Sequence, residues 1–388
     1  MIHDFSYQAP TRIHFGKTAL SHLREELDRY GKNVLLVYGK NSIKRTGIYD
    51  KVIEILKAAD KNVSELSGVK SNPTYAQVMA GVKIARESKA DLILAVGGGS
   101  VIDCAKGISV STYAQCDVWK EYYMNWADVK NQTIPVGCVL TMAGTGSEMN
   151  STSVITNDDT HTKTGRTFPM EQAAPKFAIL NPEFTYTVSK EQMTSGIFDI
   201  LSHLMEQYFG GEGEHVCDAM IEGVMRSLLV SARQALKNPT DYDARSNIMW
   251  CATMGLNRLL AVGKEQDWNV HKIEHQLGAY TDCPHGIGLA VISPTYYRYI
   301  YKAGLHQFVR FAKNVWGVDD KGLSPDDVAL QGIDRMEAFI KELGIPSTLH
   351  EIGTTEDMLP LIANSVIFAD GYMKLTPKDV LTILKAIY

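Results

Sequence analysis

The run Leu92-Ile93-Leu94-Ala95-Val96 contains no polar residue and ends directly in Gly97-Gly98-Gly99-Ser100. Five apolar residues without alternation fit a strand covered on both faces, as in parallel sheets wrapped by helices. The same pattern appears earlier, where Val34-Leu35-Leu36-Val37-Tyr38 runs into Gly39, and again from Ile134 to Thr141, ahead of Ala143-Gly144-Thr145-Gly146-Ser147-Glu148. Between these runs the apolar spacing becomes helical. Val52, Ile53, Ile55 and Leu56 mark a helix over 49–59, and a second is expected from about Thr74 to Ala90, just after Asn72-Pro73. Strands separated by helices imply a parallel sheet with right-handed crossovers.

The grammar changes near Asn181-Pro182. Strand signals nearly vanish, and amphipathic stretches follow at Ser189–Phe209, His215–Leu236, Ala244–Val262, Trp268–Tyr280, Leu305–Trp316, Asp326–Leu343 and Pro377–Ile387. A chain of 388 residues exceeds one ordinary core. We therefore expect an α/β domain over 1–183 and an all-α domain over 184–388, with an active site in the cleft between them. No internal repeat or low-complexity segment interrupts this plan. A net charge of −5 with dispersed Lys and Arg offers no basic footprint for nucleic acid or anionic lipid. The start, Met1-Ile2-His3-Asp4, lacks a signal peptide's basic and apolar regions, and no apolar stretch is long enough to span a bilayer. Six scattered cysteines without a C-x-x-C pair read as reduced thiols, so a cytoplasmic protein is expected. Cys283 lies two residues before a histidine used below and is read as a packing residue.

Where a buried strand hands over to a helix at Gly97–Ser100, the backbone can approach a ligand closely, and the helix start offers N–H groups and the positive dipole end to an anion. On the glycines alone, a tight turn explains the sequence equally well. Position 102 is Ile, so the standard three-glycine dinucleotide fingerprint is absent, and no Gly-Lys-Ser/Thr follows. The second turn, Gly144-Thr145-Gly146-Ser147, strengthens the nucleotide reading, because turns at the carboxyl ends of strands in one sheet share a crevice. The first turn, Gly39-Lys40-Asn41-Ser42-Ile43-Lys44, carries two lysines and no acid. An acid there would bind a ribose 2′-hydroxyl and repel a 2′-phosphate, so NADP(H) is preferred over NAD(H). The plain alternative is that both lysines are solvated loop charges.

In the second half, Asp199 and His203 are four apart in an apolar helical stretch, which places their Cβ atoms about 5–6 Å apart on one face. His271 and His275 repeat the spacing, and Pro284-His285-Gly286 reads as the turn entering the next helix. Any one of these histidines is more often structural. Two i, i+4 pairs and a third histidine in one helical domain instead suit one divalent first-row metal, Fe(II) first and Zn(II) second, and no thiolate biases the set toward structural zinc. His3, His14, His22, His161, His215, His306 and His350 are isolated and are assigned surface or capping roles.

These motifs together resemble the iron-containing (group III) alcohol dehydrogenases. The resemblance runs from Thr11-Arg12-Ile13-His14-Phe15-Gly16-Lys17 through Gly97–Asp103 and Ala143–Glu148 to Asp199, His203, His271, His275 and His285-Gly286. It implies a Rossmann-like parallel-sheet domain followed by an all-α domain, as in dehydroquinate synthase. Within the family, the NADPH-dependent butanol dehydrogenase and aldehyde reductase branch is most similar. By the resemblance, Asp199, His203, His271 and His285 ligate the metal. His275 lies near nicotinamide and substrate as a proton relay, with Lys163 at the nicotinamide ribose. Gly98, Gly99, Ser100 and Asp103 meet the pyrophosphate and neighbouring ribose, and Asn72, Thr141, Thr145 and Ser147 line the rest of the cofactor. Gly39, Asn41 and Ser42 occupy the position that separates NAD from NADP. NADPH-dependent relatives often read glycine-rich where this chain has Lys40-Asn41. A primary alcohol or aldehyde substrate and a homodimer are also implied. Two rival readings of the same residues are a metal-dependent hydrolase or lyase on a nucleotide-binding-like fold, and a non-catalytic metal or nucleotide sensor.

Overall fold

A computed structural model describes residues 2–211 and 216–388. The expected helix start at His215 lies outside the described residues. The chain divides into two compact units, Gln8–Val188 and a second made of the residues up to Tyr7 together with Ser189–Tyr388. The N-terminal residues, read from sequence with the α/β half, thus belong to the helical unit. The His3 backbone N–H donates to the Gly263 carbonyl at 2.9 Å, and Ile2 and Phe5 lie against Gly263.

The α/β unit contains strands β1 (Arg12–Phe15), β2 (Asn33–Tyr38), β3 (Asn62–Leu66), β4 (Leu92–Gly97), β5 (Val136–Leu140), β6 (Thr152–Asn157), β7 (Thr162–Thr167) and β8 (Phe177–Leu180). Its helices are α1 (Leu23–Leu27), α2 (Ser42–Arg45), α3 (Ile48–Ala58), α4 (Tyr75–Glu87), α5 (Gly99–Ser111) and α6 (Met170–Ala173). Six strands form one parallel sheet in the order β1-β8-β5-β4-β2-β3. The unbroken apolar runs occupy its centre. Val34, Leu36, Leu92, Leu94 and Val96 pack with Leu23, Leu27, Val52 and Leu56 from α1 and α3 on one face. On α5 every residue except Ser100 is buried. β6 and β7 form a separate antiparallel hairpin, docked through the Thr156 N–H to the Pro73 carbonyl at 2.9 Å.

The helical unit comprises α7 (Lys190–Tyr208), α8 (Val216–Lys237), α9 (Tyr242–Leu256), α10 (Asn269–Thr281), α11 (His285–Ile300), α12 (Leu305–Asn314), α13 (Pro325–Leu343), α14 (Met358–Ser365) and α15 (Pro377–Ala386). Their starts carry the expected acceptors. Ser189, Asp241, Ser324 and Thr376 each accept a hydrogen bond from the first turn of the helix they precede, and Pro occupies the first turn of α13 and α15. The helix expected over 244–262 stops at Leu256. Arg258 turns left-handed (φ 71°), and the Asn257 side chain accepts from the Leu259 N–H at 3.0 Å, a local bond that competes with helix. α7 is buried on all sides from Met193 to Tyr208. Every polar side chain on that stretch must therefore be satisfied internally or put to use. Among the described residues, no helix is long and apolar enough to cross a membrane, and no disulfide joins the cysteines.

Candidate metal centre and cofactor turns

Asp199 and His203 leave the buried face of α7 one turn apart, His271 comes from α10, and His285 is the first residue of α11. Their side chains meet around one atom. Asp199 Oδ1 lies 3.5 Å from His203 Nε2, 3.8 Å from His271 Nε2 and 3.6 Å from His285 Nε2. Among the described residues, neither Asp199 Oδ1 nor His271 Nε2 has a hydrogen-bond partner, although both are buried. Orphaned buried polar atoms are costly and rare in folded proteins, so two of them aimed at one point fit a bound cation. Ligands bound ~2.1 Å from one ion sit roughly 3–3.4 Å apart. The ligand atoms of Asp199, His271 and His285 lie within 4.8 Å of one another, so a contraction of these three accommodates a cation. His203 falls outside that group and reaches it through Asp199 Oδ1. One carboxylate and three imidazoles without sulfur suit a divalent first-row metal.

The charges in this centre are distributed unequally. Burial raises the Asp199 carboxyl, but the three surrounding imidazoles overrule it and hold it well below the ordinary range. Burial pushes His203 down to about 3, with Asp199 opposing and the charges of His271 and His285 adding to the fall. Burial also works against a charged His271, yet Glu206 and Asp199 lift it to about 10. Glu206, three residues beyond His203 on α7, meets His271 Nδ1, and Glu274 on α10 meets His285 Nδ1. His275 stands apart from the cluster's centre. Its ring lies 5.8 Å from that of His285 and 6.2 Å from that of His271. With Glu274 and His285 it forms a second group of potential ligand atoms.

In the α/β unit, the three glycine-containing turns follow neighbouring strands. Gly39 follows β2, Gly97–Ser100 joins β4 to α5, and Thr141–Ser147 follows β5. The Thr141 N–H donates to the Gly97 carbonyl at 3.0 Å. A side chain at Gly99 would place its Cβ 2.1 Å from Thr145 Oγ1, so the second turn packs directly on the first. Gly146 is left-handed (φ 59°), the conformation that turns the chain into Ser147. Ser100 Oγ donates to the Ser71 carbonyl beside buried Asn72, and Asn41 and Ser42 are exposed at the start of α2. Lys163 is buried on β7 opposite Thr156, whose neighbourhood includes Pro73.

Asp103 and Ser147, named from sequence as cofactor contacts, bond each other. Asp103 Oδ1 accepts from Ser147 Oγ, and Asp103 Oδ2 accepts from the Val154 N–H at 3.0 Å. Beneath them lies Lys106, fully buried, which donates to Ser147 Oγ (2.7 Å), Asn150 Oδ1 (3.0 Å) and the Thr152 carbonyl (2.9 Å). Sequence reasoning passed over Lys106, Glu206 and Glu274. The two glutamates do leave a trace, because Asp199, His203 and Glu206 recur at i, i+4 and i+7, and Glu274 falls three residues after His271.

Comparison with known proteins agrees across nearly the whole chain. Residues 10–182 match the profile described as iron-containing alcohol dehydrogenase, and residues 193–388 match the C-terminal profile of the Fe-containing alcohol dehydrogenase family. NADH-dependent butanol dehydrogenase A of Clostridium acetobutylicum is 39% identical over 99% of this chain and 100% of its own length. The NADPH-dependent aldehyde reductase YqhD of Escherichia coli is 35% identical over 93% of this chain and 92% of its own. A crystal structure of NADH-dependent butanol dehydrogenase A from Thermotoga maritima superposes with a TM-score of 0.94 at 34% identity, covering 100% of this chain and 99% of that one.

Proposed function

Because the chain belongs to the iron-containing alcohol dehydrogenase family, we propose that it interconverts a primary alcohol and its aldehyde, of butanol and butanal size, with NADP(H) as the hydride carrier. The family establishes a metal-dependent oxidoreductase with a nicotinamide cofactor and a small alcohol or aldehyde substrate. A hydrolase or lyase reading finds no support among these relatives. The single observation that carries the proposal is the convergence of His203, His271 and His285 on Asp199 Oδ1, with buried atoms unpaired among the described residues.

Asp199, His203, His271 and His285 are the residues that would hold the ion, Fe(II) first and Zn(II) second. When bound, such an ion acts as a Lewis acid on the substrate oxygen, and the nicotinamide gives or takes the hydride. The remaining work belongs to the protein. The four ligands fix where the substrate oxygen sits. His275, buried beside His285, is the proposed station for the hydroxyl proton on its way to solvent. Gly98, Gly99 and Ser100 present backbone to the pyrophosphate at the positive end of α5. Thr141, Thr145 and Asn72 border that turn, and Lys163 is the proposed contact to the nicotinamide ribose.

The preference for NADP(H) rests on the turn after β2. Gly39 leaves no carboxylate there, and Lys40 is exposed. Glu65 on the neighbouring strand β3 is engaged by the hydroxyls of Tyr38 (2.6 Å) and Tyr49 (2.7 Å). Lys44 lies over those two rings and is held there. The relatives divide on this point, since the butanol dehydrogenases are NADH-dependent and YqhD is NADPH-dependent. Steady-state reduction of butanal by the Fe(II)-loaded protein, followed by nicotinamide absorbance, tests both parts. A higher kcat/KM with NADPH is expected; a higher value with NADH overturns the cofactor preference, and no turnover with either overturns the activity. A homodimer is the proposed assembly, and sedimentation at micromolar concentration checks it.

A further inference from the structure

Two of the three histidines around Asp199 are held from behind by a buried carboxylate, and the third is not. Glu206 Oε1 meets Nδ1 of His271, its Oε2 accepts the His271 backbone N–H at 3.1 Å, and Ser202 Oγ donates to Oε1 at 2.9 Å. Glu274 Oε2 meets Nδ1 of His285. Both glutamate side chains are fully buried. His203 Nδ1 is buried too, but no described protein group bonds to it.

Resting on the metal reading above, we infer that Glu206 and Glu274 are positioning residues that set which nitrogen of His271 and His285 faces the cation and how tightly the ion is held. A neutral imidazole carries one proton. A carboxylate against Nδ1 takes that proton's hydrogen bond and leaves the Nε2 lone pair toward Asp199. The charge balance points the same way. Asp199, Glu206 and Glu274 place three carboxylates in one water-poor region, and a divalent cation offsets two of those charges. His203 lacks such a brace and is the least constrained of the three imidazoles. The potential ligand atoms of Glu274, His275 and His285 also lie within 4.8 Å of one another, which raises a second ion as a rival role for Glu274. His285 Nδ1 cannot both donate its proton to Glu274 and ligate a metal, so one ion per chain follows from the pairing.

Co(II) is the probe. The metal-free full chain and its Glu206→Gln, Glu206→Ala, Glu274→Gln and Glu274→Ala variants are titrated with Co(II) against a chelator. The visible d–d spectrum is recorded for each, and circular dichroism reports the fold. Each Gln variant keeps an acceptor of the same shape and should weaken Co(II) about 10-fold, whereas each Ala variant should weaken it by up to about 100-fold. The cobalt bands should shift in both series, with one Co(II) per wild-type chain. Folded Gln and Ala variants with wild-type affinity and an unshifted spectrum overturn the inference. So does a wild-type stoichiometry of two that falls to one in Glu274→Ala, which would make Glu274 a ligand. A wild-type chain that takes up no Co(II) overturns the metal reading itself, an outcome distinct from the other two.

Discussion

The glycine turns and the cluster around Asp199 treat buried polar groups in opposite ways. Around the turns, Asp103, Ser147, Lys106 and Asn150 bond one another and the backbone, so these groups are satisfied before any ligand arrives. In the helical unit, Asp199 Oδ1, His271 Nε2 and His203 Nδ1 are buried with no hydrogen-bond partner among the described residues. A satisfied buried network rigidifies a fold, whereas an unsatisfied one marks a place where the fold has given up stability for a task. Side chains in the first region therefore hold a backbone shape, and those in the second are the proposed ligands. Substitutions should separate along that line, in stability and cofactor affinity on one side and in metal content on the other.

The largest separation is expected for His271→Ala. It removes the ligand proposed on α10 and should strip the metal and reduce alcohol oxidation to background, with NADPH affinity unchanged within about two-fold. Metal analysis beside fluorescence titration of NADPH checks both halves, and loss of NADPH binding with retained activity would break the comparison. Gly99→Ala should do the reverse. Its Cβ would stand 2.1 Å from Thr145 Oγ1 and 2.4 Å from Thr145 Cγ2, so the two turns must separate. Overpacking of this kind costs about 1–3 kcal/mol, which, if it falls on the bound geometry, weakens NADPH roughly 5- to 150-fold while the metal stays at full occupancy.

How much of this was legible in the sequence follows from the range of the interactions involved. The central strands declared themselves, because Val34–Val37 and Leu92–Val96 are buried on both faces and admit no polar residue. The β6–β7 hairpin did not. Thr162–Thr167 has no apolar residue and Thr152–Asn157 only Val154 and Ile155, and between them the chain turns through His161 in a left-handed conformation (φ 47°). Helical spacing brought Asp199 beside His203 and His271 beside His275, yet spacing alone cannot say which ring of the second pair turns toward Asp199. His271 does, and His275 sits to one side. Lys106 was invisible, since a lysine in a helix ordinarily reads as a solvated charge and its three acceptors lie 41 to 46 residues away. Glu206 was hidden for the same reason, its partner being 65 residues distant.

Lys106 offers the smallest and sharpest test of the comparison. If the turn region is braced rather than chemically poised, Lys106→Met should appear in stability and hardly at all in chemistry. At neutral pH, Asn150 and the Thr152 carbonyl lose a donor, and a loss of about 2 kcal/mol is expected after partial relief from burying the ammonium. Burial pushes this ammonium down to about 8 from 10.5, with Asp103, Cys138 and Glu148 opposing the fall. The sign follows from proton counting. Between pH 8 and 10.5 the unfolded chain holds a proton that the folded chain has released, so this group's contribution to stability rises with pH. Across that window the rise is on the order of 3 kcal/mol. The full cost of the buried charge is felt below pH 8, where both states are protonated. Chemical denaturation of wild type and Lys106→Met at pH 7, 8, 9 and 10 should therefore show the gap widening in favour of wild type as pH rises, because other titrations cancel in the difference. A flat gap would mean that the ammonium titrates as freely as a surface lysine. A KM for NADPH raised more than about 10-fold at unchanged stability would place Lys106 among the groups that act on the cofactor, and the division between a bracing region and a ligating region would fail at this residue.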